Sequence, residues 1–134
     1  MAIAGIVVAV LAAVLHVVIF TMESVLWTRP PVWQRFGVAD QAAAETTRSM
    51  AYNQGFYNLF LAVGAALGAV LYGAAGAGGD TPMAVAGYTL MLFSLGSMLA
   101  AAVVLVTTGA RYLRPAAVQG TLPLIGIVLL LVAR

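Results

Sequence analysis

The sequence predicts an all-α fold, an integral membrane four-helix bundle with both termini on the external side. Three observations predict it. The chain of 134 residues is 63% hydrophobic and only 7% charged, with a mean hydropathy of +1.06. No soluble domain of this size hides that much apolar surface. The apolar residues fall into four runs, each near the twenty or so residues that a transmembrane helix needs. The cations gather in alternate loops: Arg29, Arg35 and Arg48 around the first, Arg111 and Arg114 in the third. Cations favour the cytoplasmic side, so loops one and three belong there and the termini outside. The expected location is the cell (inner) membrane, crossed several times.

One domain is expected over residues 1–134, with spans at about 2–27, 49–75, 83–108 and 115–133. The first span lacks the basic head and small-residue cleavage site of a signal peptide, so it is expected to remain. Pro30 and Pro31 are expected to stop the first helix. Asp40 suits an N-cap for a helix that begins before the membrane and runs on into the second span. Glu45 and Arg48, one turn apart, suggest a solvated pair of little energetic weight. "GAAGAGGDTP" is a Gly-rich turn and "GARYLRP" a short basic one.

The polar residues are few and grouped. In the first span His16 and Glu23 are two turns apart and share a face. That face continues through Ala12, Ala9 and Gly5 in one direction and through Phe20 and Trp27 in the other. Small residues mark a face packed on another helix. His16 and Glu23 should therefore point into the bundle, where ionisable side chains are functional candidates by default. A structural hydrogen bond is the competing role for His16, and simple hydration at the interface for Glu23. In the second span "AYNQGFYNLFL" supplies Asn53, Gln54, Tyr57 and Asn58. Gln54 and Asn58 share one face, and Asn53 and Tyr57 a second that diverges from it. As helix-packing glue such amides are worth about 0.6 kcal/mol per bond; their density here points instead to a ligand site. Gly64 and Gly68 form a small-xxx-small pattern, and Gly87 and Ser94 in the third span suggest a packing seam. In the fourth span "VQGTLP" places Gln119 four residues before Pro123, which cannot donate to its carbonyl.

The run "NQGFYNLFLA", with His16, Glu23 and Trp27 before it and "VQGTLP" after it, resembles domain-of-unknown-function family thirteen-oh-four. The resemblance covers nearly the whole chain. It implies a compact four-helix membrane protein and no particular activity.

Two functions and one default compete. The first is a polar pocket on the cytoplasmic side that binds a small, partly apolar molecule and acts on it by acid–base chemistry. His16 and Glu23 would be its catalytic pair, with Trp27, Asn53, Gln54, Tyr57, Asn58 and Gln119 as ligand contacts. The second is an oligomer that transports a proton or solute, with Glu23 as its titrating gate. The default is an accessory membrane subunit without chemistry, so whether the protein is an enzyme stays open. The expected partners are membrane lipid and a small-molecule ligand, with a homo-oligomer open. A net charge of +2 argues against nucleic acid. A chain with one His and no Cys argues against a metal site, and no phosphate loop, nucleophile elbow or haem motif is present, so no cofactor is expected.

Overall fold

Helices account for the fold because backbone polar groups in hydrocarbon must be satisfied within their own segment. The structure, a computed structural model, describes residues 1–133; Arg134 lies outside the described residues. Helix α1 spans Ala2–Phe20 and passes into a π-helical turn, Thr21–Val25. A short helix α2, Pro30–Trp33, occupies the first loop. Then come α3, Gln41–Ala74, and α4, Pro82–Thr107. A 3-10 turn, Ala110–Tyr112, leads into α5, Leu113–Val132. Among the described residues four segments are long and apolar enough to cross a membrane: Ala2–Val25, Gln41–Ala74, Pro82–Thr107 and Ala110–Val132.

The punctuation has local causes. Asp40 caps α3, its Oδ1 accepting from Ala43 N at 2.8 Å. The helix beyond it has 34 residues, about 51 Å, and exceeds a hydrocarbon layer of about 30 Å by some four turns. Thr81 caps α4, its hydroxyl accepting from Ala84 N at 3.2 Å, with Pro82 in the first turn. The turn before it relies on Gly76 and Gly78, with φ of 81° and 97°, a region that side chains rarely enter. The two prolines of loop one act differently from expectation. The first membrane helix has already ended at Val25, and Pro30 opens α2, because its fixed φ and missing N–H suit the first helical position.

The chain divides into two compact units, Met1–Leu15 with Leu61–Arg134, and His16–Phe60. The first holds the apolar core. Tyr72, Met91, Leu95, Met98 and Leu130 are fully buried, set against Ala9, Ala12, Ala62, Ala65 and Ala69. Its helices meet at glycine. A Cβ on Gly68 would lie 2.7 Å from Met91 N and 2.8 Å from Gly87 O, so the α3 and α4 backbones touch. One on Gly87 would run into Tyr72 N, and one on Gly64 would meet Ser94 Oγ at 2.5 Å. The small-xxx-small pattern and the Gly87–Ser94 seam are therefore the two sides of one crossing. Gly5 accepts Leu130 in the same way, with Cδ2 at 2.8 Å from a would-be Cβ. Polar chemistry in this unit is sparse. Tyr72 and Tyr88 pack with centroids 5.7 Å apart, and Tyr72 Oη is buried without a hydrogen-bond partner among the described residues.

The second unit is held by hydrogen bonds from long side chains. Trp27 Nε1 donates to Ala44 O at 3.0 Å and to Thr47 Oγ1 at 3.3 Å. Trp33 Nε1 donates to Gln41 Oε1 at 3.0 Å, and Gln41 Nε2 donates onward to Thr28 O and Glu45 Oε1 at 3.2 and 3.1 Å. Gln41 thus clasps the first loop to the start of α3, and it is Gln41 that engages Glu45.

Candidate functional site

The buried face of α1 follows the stripe that the sequence suggests. Gly5, Ala9, Ala12, His16, Glu23 and Trp27 are buried, and Phe20 is half-buried. Glu23 reaches its position through the π turn. Thr21 Oγ1 donates back to Val17 O at 2.9 Å, a bond that bends helices. Leu26 N then bonds Thr21 O, five residues back, at 3.0 Å. A π turn inserts one residue and re-aims those after it, and such turns are frequent at functional sites.

Opposite this turn, α3 presents Ala51, Gly55 and Asn58, all buried. Gly55 is there because the helices are close: a Cβ on it would run into Ser24 Oγ. Ser24 Oγ in turn donates to Tyr52 O at 2.8 Å. One turn further on, Asn58 Nδ2 donates to Glu23 Oε2 at 2.8 Å and to Gln54 O at 3.2 Å. Glu23 is 8% exposed and Asn58 5%. Phe20 and Phe56, close in sequence to Glu23 and Asn58, meet edge to face with centroids 5.1 Å apart.

Glu23 and Asn58 are therefore the two sequence candidates that the structure joins directly. Trp27 is buried, with its N–H committed to α3 and its ring 5.1 Å from that of Phe36. His16 is fully buried on α1. Asn53, Gln54 and Tyr57 are exposed, so their side chains face away from the buried seam. The cause is Gly55: once it faces Ser24, helical geometry sends residues 53, 54 and 57 off the contact line and brings 51 and 58 onto it. Gln54 contributes its carbonyl rather than its amide. Gln119 is half-buried on α5, in the other unit. Ser24, Gly55 and Gln41 were not among the candidates. A glycine flanked by amides within a long helix is a signal for close approach that could have found Gly55; the π turn leaves no mark in composition or spacing.

Chemically, the pair is a carboxylate with one amide donor. Asn58 engages Oε2, and the second oxygen keeps its capacity to accept from another donor. The family model described as "Protein of unknown function (DUF1304)" matches residues 10–131. The chain belongs to this family. The match takes in the second and third membrane helices whole, most of the first and all but the last residue of the fourth, with the Glu23–Asn58 pair and Gln119. No curated protein and no solved structure matches the chain. As a member of this family the protein is a multi-pass, all-helical membrane protein.

Proposed function

We propose that this protein binds a small, partly apolar molecule at the Glu23–Asn58 pair, with Glu23 exchanging a hydrogen bond or a proton with it. The observation that carries the reading is a buried carboxylate, supplied by a π turn, with one oxygen held by an amide and one open to a donor. A carboxylate buried within a membrane-spanning segment is costly, and chains that keep one use it for ligands, ions or protons. The Phe20 and Phe56 rings, three and two residues before Glu23 and Asn58 in the chain, supply aromatic surface for an apolar body attached to the bound donor group. The arginine pattern supports placing this end of the protein in the cytoplasm.

The test is retention. Wild type, Glu23→Gln and Asn58→Ala are purified in the same detergent, and organic extracts are compared by mass spectrometry. The reading requires a small molecule that wild type retains and Glu23→Gln loses while keeping its helical content and melting behaviour. Equal extracts from equally folded proteins would leave an accessory membrane subunit as the function. Orientation has its own assay, without background because the chain has no Cys. A cysteine at Gln34 should be protected from impermeant reagent in intact cells, and one at Gly78 should be labelled; the reverse pattern inverts the topology.

A further inference from the structure

The N-terminal part of α3, a helix longer than a hydrocarbon crossing needs, carries a second polar feature, separate from the Glu23–Asn58 pair. Glu45, Arg48, Ser49 and Tyr52 line a shallow, open depression on the helix surface. All four are exposed. At spacings of three and four residues they form one stripe along the helix. Its depth follows once Ala74 is taken as the far edge of the hydrocarbon, which shortens the second span at its start relative to residues 49–75. Twenty residues of helix cross the hydrocarbon, so counting back from Ala74 puts the apolar edge near Gly55. Tyr52, Ser49 and Arg48 then lie within about two turns outside that edge, at the level of lipid phosphates. Glu45 lies about one turn further into water.

The order of the chemistry along the stripe matters. Nearest the membrane are three donors: a phenol, a hydroxyl and a guanidinium. Guanidinium binds phosphate through paired N–H groups, and hydroxyls supplement it. Beyond them, about 5 Å further along the axis, stands a carboxylate. Gln41 engages Glu45 Oε1 at 3.1 Å, which orients the group and leaves Oε2 to accept a second donor. A surface built to attract anionic lipid would carry no carboxylate here. The pattern of donors first and acceptor second is complementary to a zwitterion whose phosphate lies at the membrane and whose ammonium lies outside it.

We propose that this stripe is a binding site for the headgroup of an aminophospholipid, with Arg48, Ser49 and Tyr52 on the phosphate and Glu45 on the primary ammonium. An ethanolamine headgroup has that polarity, and its two-carbon bridge matches a separation of one helical turn. A choline headgroup places methyl groups where Glu45 needs N–H donors. A glycerol headgroup has no cation. Selectivity for the primary amine therefore follows from Glu45, and general phospholipid retention from Arg48.

The experiment uses the full chain, purified in detergent and mixed with equal amounts of phosphatidylethanolamine, phosphatidylcholine and phosphatidylglycerol, with bound lipid read by native mass spectrometry. Wild type should retain phosphatidylethanolamine about fivefold over phosphatidylcholine, the scale of one charge contact at a headgroup surface. Glu45→Gln, which keeps an acceptor for Gln41, should bring that ratio close to one without lowering total lipid bound. Arg48→Gln should lower all three lipids, and Arg35→Gln, an exposed loop arginine outside the stripe, should change nothing. These side chains are exposed, so folding is preserved, and circular dichroism checks it. Equal retention of the ethanolamine and choline lipids by wild type overturns the proposal. So does a preference that survives Glu45→Gln. A third arm adds inorganic phosphate in large excess: loss of lipid selectivity there would mean an unspecific anion site and would also overturn it.

Discussion

The two units of this protein solve one problem by opposite means. Met1–Leu15 with Leu61–Arg134 brings helices together by removing side chains: Gly64, Gly68 and Gly87 let α3 and α4 touch at the backbone, and the energy is dispersion over a close contact. His16–Phe60 uses long donors instead, with Trp27, Trp33, Gln41 and Asn58 each spanning to a neighbouring segment. In lipid the first method is sufficient, since apolar helices gain nothing by leaving hydrocarbon for each other except packing. The second brings desolvation costs that packing avoids. A region that keeps costly groups where cheap ones would hold the helices is where function is to be sought.

The contrast can be broken most severely at Gly87. Gly87→Val places atoms on Tyr72 N and Gly68 O, so the α3–α4 crossing must open. We expect a loss of about 3 kcal/mol, at the upper end for overpacking, seen as a large fall in detergent melting temperature or in expression. A melting temperature within error of wild type would mean that the crossing is not the source of stability.

Asn58→Ala comes next. It leaves the Glu23 carboxylate buried without its donor, and removal of one partner costs about 2 kcal/mol. The same melting assay reads it; no loss would show that water substitutes for the amide. Trp27→Phe keeps the ring's bulk and deletes only the N–H to Ala44 O, so about 1 kcal/mol is expected. Tyr72→Phe should go the other way. Its hydroxyl is buried without a partner among the described residues, and deleting it should leave stability unchanged or raise it by up to about 1 kcal/mol. A clear loss at Tyr72→Phe would reveal a polar role within the apolar core of that unit.

Much of this was legible in the chain. Hydropathy and length fix helices in lipid, and small residues at helical spacing mark the buried face of α1 and both sides of the α3–α4 seam. Asp40 was readable as a cap because a short acceptor ahead of a helix has one good use. The amide cluster was legible as a group but not residue by residue. Helical periodicity says which positions share a face, while the choice of face depends on a neighbour: Gly55 opposite Ser24 turns Asn58 inward and leaves Asn53, Gln54 and Tyr57 outside. The π turn was not readable, because one extra residue in a helix changes no composition and breaks no repeat. It nevertheless sets the aim of Glu23. Gln41 was missed because its role is to join the first loop to α3, which spacing along a single helix does not encode.

The central claim is that Glu23 and Asn58 are kept for what they bind and not for what they stabilise. The most direct measurement is the detergent melting temperature of the double variant Glu23→Met/Asn58→Leu, which replaces both partners with apolar groups of similar bulk. Exchanging a buried polar pair for well-packed apolar residues is often neutral or stabilising. The account predicts a double variant at least as stable as wild type, even though Asn58→Ala alone is destabilised. A double variant that melts below Asn58→Ala would contradict it, and would make the pair part of what holds the helices together.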